Sequence, residues 1–141
     1  MSSSKIACLG AGSLYFRRAV ADLIVSTDLA GSELVLYDLV KEKADRMAAM
    51  GQRLAREAGT AFKVRATSRL ADAADGADFA VTSIGGSGAG ITRNVYSSYH
   101  HNVDVQIGQK YGIQQLIADT GGPGAMMMAF RSIPAYLDIC K

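Results

Sequence analysis

The chain has 141 residues, enough for one domain with its own hydrophobic core. Apolar residues make up 49% and charged residues 20%, which excludes an intrinsically disordered chain. A net charge of +2, from 15 basic and 13 acidic residues, is too balanced for a nucleic-acid or membrane-surface binder. No apolar run has the length of a signal-peptide core or of a bilayer span. Cys8 falls inside an apolar strand pattern and Cys140 lies at the far end, so two free thiols are expected, as suits a reducing cytoplasm.

Strands and helices alternate along the chain. Ile6-Ala7-Cys8-Leu9 is an apolar run ended by glycine, the pattern of a buried parallel strand. A helix is predicted from Ser13 to about Ser26, and a second buried strand at Leu34-Val35-Leu36-Tyr37, ended by Asp38. From Lys41 to Ala58 the residues Ala44, Met47, Ala48, Leu54 and Ala58 recur at helical spacing, and Gly59 closes that helix. Phe62-Lys63-Val64-Arg65-Ala66 alternates apolar and polar residues, which predicts a strand near a sheet edge. Leu70 to Ala74 is a short helical turn, and Phe79 to Ile84 is a fourth strand, ended by Gly85-Gly86. From 85 to about 108 no period is visible, and a long loop is expected. An apolar helix then follows Gly121-Gly122-Pro123-Gly124 through Met126, Phe130, Ile133, Leu137 and Ile139, with a kink expected at Pro134. Its apolar character predicts a face that needs another layer. The fold class is α/β: a Rossmann-like parallel sheet with flanking helices, one dinucleotide-binding domain over 1–141, incomplete at its C-terminus because six strands are usual and four are visible.

Gly10-Ala11-Gly12 joins the first strand to the first helix. A phosphate needs close backbone approach there, and glycine removes the Cβ that would block it. The helix that follows directs free N–H groups and its positive dipole end at an anion, and the Ser13 hydroxyl is a further donor. The full fingerprint has a third glycine where this chain has Tyr15, a departure expected to loosen helix–strand packing. Asp38 ends the second strand, where an acidic side chain accepts from both hydroxyls of the adenosine ribose and repels a 2′-phosphate. NAD is therefore preferred, although Lys41, Lys43 and Arg46 keep NADP open. Gly85-Gly86 is either an ordinary loop entry or the point where a cofactor crosses the sheet. The candidate cofactor set is Gly10, Gly12, Ser13, Leu14, Tyr15, Asp38, Gly85 and Gly86.

Taken together, Lys5 to Ser13, Leu36-Tyr37-Asp38, Ala77-Asp78-Phe79 with Gly85-Gly86, and above all Lys110 to Gln115 continuing into Asp119-Thr120-Gly121-Gly122-Pro123-Gly124 and Phe130-Arg131-Ser132-Ile133-Pro134 resemble the N-terminal part of glycoside hydrolase family 4. The resemblance runs through nearly the whole chain and is stronger to the α-galactosidase and α-glucosidase branch than to the 6-phosphoglycosidases. It implies an NAD- and Mn2+-dependent glycosidase that oxidises C3 of the sugar, removes the acidified C2 proton, eliminates the C1 substituent, adds water and returns the hydride, an exception to the two-carboxylate mechanism.

The resemblance also assigns residues. Gly10, Gly12, Ser13 and Asp38 match cofactor positions, and Asp119 matches an acidic position near the sugar, with helix capping as its alternative role. Arg131 is read as a helix-face cation, and His100 and His101 as a solvated surface pair rather than metal ligands. Ala125 stands where the family has a further glycine, and the loop from Gly86 to Gln109 is longer than usual. The family's metal-binding cysteine and histidine and its base lie beyond the region matched, so no catalytic or metal-binding residue is assigned here, and the isolated chain is expected to be inactive. The expected partner is a small-molecule glycoside, with homo-oligomerisation open. A non-catalytic NAD-binding or interaction module and a 2-hydroxy-acid dehydrogenase relative are the alternatives.

Overall fold

The computed structural model describes residues 3–85, 100–114 and 122–141. The chain divides into two compact units, Met1–Ser83 and Ile84–Lys141.

In the first unit, β1 (Lys5–Leu9), β2 (Glu33–Tyr37), β3 (Lys63–Thr67) and β4 (Phe79–Thr82) form one parallel sheet in the order β3-β2-β1-β4. β1 is central, with Ala7 registered between Val35 and Ala80, and all but its first residue are buried. β3 is at an edge, as its alternating sequence predicts. β4 stops at Thr82 rather than reaching Ile84.

The three crossovers are α1 (Tyr15–Val25), α2 (Lys41–Glu57) and α3 (Leu70–Ala74). Phe16, Val20 and Ile24 recur every fourth residue on α1 and pack with Met47, Ala48 and Ala55 of α2 against Ile6, Cys8, Leu34, Leu36 and Val64. Strand side chains alternate between faces, so Ala7, Leu9, Val35 and Arg65 face the other way. On that face the Arg65 guanidinium donates to the Asp72 carbonyl of α3 at 2.9 Å, which fixes α3 there.

The inward face of α2 differs in part from the sequence reading. Ala44, Met47 and Ala48 are buried as expected, Leu54 is half-buried, and Ala58 is exposed because the helix ends at Glu57. Gly51 and Ala55 take the inward positions instead. A Cβ on Gly51 would stand 3.1 Å from Val64 and 3.3 Å from Ile24 and Val20, so the missing side chain sets how closely the layers approach.

The second unit holds a π-helical turn (His100–Asp104), α4 (Val105–Lys110) and α5 (Pro123–Ile139). This corrects the expectation of irregular chain to about residue 108. A short helix here closes with glycine: Gly112 has φ 78°, its N–H donates to the Gln109 carbonyl at 3.0 Å, and the Ile113 N–H donates to the Gly108 carbonyl at 2.8 Å. α5 begins on Pro123, runs through Pro134 as one helix, and has no fully buried residue. Met126, Phe130, Ile133 and Leu137 recur on one stripe and are all exposed, Phe130 by 69%.

Candidate functional site

The order β3-β2-β1-β4 places the point where the strand order reverses between the parallel strands β1 and β4. In open parallel sheets such a switch point opens a crevice at the carboxyl ends of the strands, where ligands bind. The glycine loop lies there, and its shape follows from three sets of bonds.

First, Gly10 adopts φ 87°, a conformation open to glycine at little cost, which turns the chain out of β1. The N–H groups of Gly10 and Ala11 both donate to the Tyr37 carbonyl, at 2.9 and 2.8 Å, and stitch the loop to the end of β2. Second, Asp38 Oδ2 accepts the Gly12 N–H at 2.7 Å and Oδ1 accepts the Val40 N–H at 2.9 Å. A Cβ on Gly12 would lie 2.7 Å from Asp38 Oδ2 and 2.7 Å from Lys43 Cδ, so glycine is needed for close approach rather than for an unusual φ. Third, Ser13 Oγ accepts the Tyr15 N–H at 3.3 Å and the Ser83 hydroxyl at 2.8 Å. The Ser83 N–H in turn donates to the Leu9 carbonyl at 2.9 Å, carrying the β1–β4 pairing one residue past β4.

Leu14 is the residue just ahead of α1, and the first turn of that helix carries no acidic side chain. No acidic side chain of that turn therefore opposes a phosphate at the helix's positive end. Leu14 and Tyr15 are 64% and 58% exposed. Where Tyr15 is expected to loosen packing, its exposed ring packs edge-on to Phe16, and Phe16 itself stays fully buried in the core. Of the three cations after Asp38, Lys41 is engaged with Asp45 at 2.7 Å and Arg46 is exposed, whereas the half-buried Lys43 lies along Gly12.

The structure thus brings together Gly10, Gly12, Ser13, Leu14, Tyr15 and Asp38. Gly85 is exposed, two residues beyond Ser83. Gly86 and Asp119 lie outside the described residues, as do the side chains of His100 and His101. The sequence reading missed Ser83. Its signal was a hydroxyl residue just past a strand that ends in glycines, but nothing local pointed to Ser13.

Two groups nearby have raised pKa values. Burial pushes the Cys8 thiol up to about 12, which makes it an unreactive core residue. The Tyr37 hydroxyl is raised by desolvation and then by the negative charge of Asp38. Among the described residues no group of three or more His, Cys, Asp or Glu side chains is arranged to hold a metal ion.

In the second unit Arg131 lies on α5, as the helix-face reading expects, but it is paired across the unit. Its guanidinium grips the Asp104 carboxylate through both terminal nitrogens, with the acid side chain only 3% exposed. Asp104 also lines an apolar cavity of about 180 Å3 with Val105, Ile107, Tyr111, Pro123 and Met127.

The family profile described as "Family 4 glycosyl hydrolase" matches residues 5–141. The chain belongs to this family. Proteins it is similar to include an alpha-glucosidase of Erwinia rhapontici, 35% identical over 98% of this chain and 29% of the relative. An alpha-galacturonidase of Thermoanaerobacter italicus is 33% identical over 97% of this chain and 27% of the relative. The crystal structure of a Bacillus subtilis protein described as a glucosidase superposes with a TM-score of 0.77 at 28% identity, covering 99% of this chain and 29% of that one. This family 4 chain therefore spans under a third of the length of the relatives it matches. The four-stranded parallel sheet with its helices agrees with the Rossmann-like reading and with this neighbour.

Proposed function

We propose that this chain forms the NAD-holding part of a family 4 glycosidase that acts on α-glycosides. The observation that carries the proposal is the arrangement of Asp38. An ionised carboxylate offers about four acceptor positions, and Asp38 uses one on each oxygen to hold Gly12 and Val40. One position on each oxygen remains for a vicinal pair of ribose hydroxyls. The residues fit a dinucleotide: Asp38 keeps acceptor positions beside the glycine loop, and the first turn of α1 carries no acidic side chain to oppose a pyrophosphate.

Bound NAD would supply a hydride acceptor and donor for oxidation at C3 of the sugar and its later reversal, as in the family's elimination cycle. This chain's residues do the binding. Gly10 and Gly12 let the backbone approach the pyrophosphate, Ser13 donates to it, Asp38 orients the ribose, and Gly85 and Gly86 let the cofactor pass over the sheet. Asp119, ahead of α5, is assigned to sugar hydroxyls. The donors for Mn2+, which polarises the C2 and C3 oxygens, and the proton-abstracting base are assigned to residues outside this chain, so the chain alone turns over no aryl α-glycoside. Family membership favours this reading over a 2-hydroxy-acid dehydrogenase. Two free cysteines support a cytoplasmic setting, and the exposed stripe on α5 supports self-association. Among the described residues no helix is long and apolar enough to cross a membrane.

Isothermal titration calorimetry with NAD, NADP and adenosine tests the reading. NAD should bind, NADP should bind more weakly, and Asp38→Ala should lose most of the NAD affinity. Wild-type protein that binds neither NAD nor adenosine refutes it.

A further inference from the structure

We propose that Ser83 is a positioning residue that turns the Ser13 hydroxyl into a fixed donor for the cofactor's pyrophosphate. The inference rests on the dinucleotide reading above. A serine hydroxyl has two acceptor lone pairs and one donor hydrogen. At Ser13 both lone pairs are taken, by the Tyr15 N–H at 3.3 Å and by the Ser83 hydroxyl at 2.8 Å. The Ser13 hydrogen is then left for a third group, and it is matched to a pure acceptor such as a phosphate oxygen. Without Ser83, Ser13 regains a lone pair, its hydrogen has no preferred direction, and water satisfies it in several orientations.

Ser83 can do this because its own place is fixed independently of the loop. Its N–H donates to the Leu9 carbonyl at 2.9 Å, so it continues the parallel pairing of β4 with β1. Ser13 and Ser83 are 70 residues apart in sequence and meet only across the switch point. The distance between the two hydroxyls is therefore set by the sheet. A donor accepting from another hydroxyl is also polarised by it, which strengthens the bond it gives. Ser83 reaches the cofactor only through Ser13.

The test uses the 141-residue chain with two probes, ADP-ribose, which contains the pyrophosphate, and adenosine, which does not. Ser83→Ala should weaken ADP-ribose about fivefold and leave adenosine within about twofold, the size expected for one misdirected charge-assisted bond. Ser83→Thr, which keeps the hydroxyl, should restore ADP-ribose affinity. In a Ser13→Ala background, Ser83→Ala should add less than about twofold, because both act through one hydrogen. Three results overturn the proposal: Ser83→Ala with unchanged ADP-ribose affinity, an equal loss for both probes, or full additivity with Ser13→Ala. Wild-type protein that binds neither probe overturns the dinucleotide reading and this role with it. Wild-type protein that binds both while Ser83→Ala is silent overturns the role of Ser83 alone.

Discussion

Gly12→Ala isolates the close approach at the centre of the glycine loop. The φ of Gly12 is not positive, so alanine meets no backbone penalty and the cost is steric. The new Cβ would stand 2.7 Å from Asp38 Oδ2, 2.7 Å from Lys43 Cδ and 2.8 Å from Lys43 Cβ. Lys43 Cβ is anchored to α2, so moving the far end of the lysine does not remove the clash. Swinging the Asp38 carboxylate away breaks the bond from the Gly12 N–H. Overpacking costs about 1–3 kcal/mol and the lost charge-assisted bond about 1.5–3 kcal/mol. The two terms share one movement, so about 2–4 kcal/mol in total is expected. In a unit of this size that lowers Tm by about 10–20 °C, read by circular dichroism or differential scanning fluorimetry. Adding Asp38→Ala to Gly12→Ala removes the carboxylate from the clash, so the double variant should be more stable than the sum of the two single losses by about 1 kcal/mol. A Gly12→Ala protein melting within about 3 °C of wild type, with unaltered NAD binding, would refute this account.

Asp38→Asn keeps the shape but turns one oxygen into a donor facing an N–H of Gly12 or Val40; a loss of about 1–3 kcal/mol, seen in urea melts, should accompany weaker NAD binding. Iodoacetamide at pH 8 should modify the exposed Cys140 and spare Cys8, as read by mass spectrometry, because Cys8 is buried with its pKa raised to about 12. The Cys8 shift is upward from 9.0, so its contribution to stability is complete below pH 9 and is lost as pH rises toward 12. Wild type should therefore lose more stability than Cys8→Ala across that window, and equal slopes would sink the idea. Arg131→Ala takes a partner from a carboxylate only 3% exposed and should destabilise the second unit by about 2–4 kcal/mol, discounted for the partly exposed guanidinium, as measured by hydrogen exchange in α5.

What the sequence made legible was local. Apolar runs such as Ile6–Leu9 mark parallel strands buried on both faces, the alternation of Phe62–Ala66 marks an edge, and a strand closing on Gly10 and another on Asp38 mark the two sides of the crevice at the carboxyl ends of β1 and β2. What was hidden depends on partners far along the chain. Arg131 reads as a helix-face cation with no partner visible in the sequence until Asp104, 27 residues earlier, is brought against it. The turn from His100 and the helix after it lack a clear apolar period, and that pair joins the turn to α5. The α2 face was misplaced toward Ala58 because an alanine at helical spacing looks inward, whereas the close contact of Gly51 with Val64, Ile24 and Val20 puts a glycine at the inward position.

Asp38 joins fold and ligand in a way that changes how its variants must be interpreted. The carboxylate that would hold the ribose also fixes Gly12, whose backbone would line the pyrophosphate site. Removing it weakens binding twice, once through the ribose contact and once through the loop, so loss of NAD affinity in Asp38→Ala cannot by itself measure the ribose bond. Adenosine separates the two, since it lacks the pyrophosphate and feels chiefly the first. If Asp38→Ala costs ADP-ribose more than it costs adenosine, the excess belongs to the loop. Gly12→Ala, which disturbs the loop but keeps the carboxylate, should show the same excess with a smaller effect on adenosine.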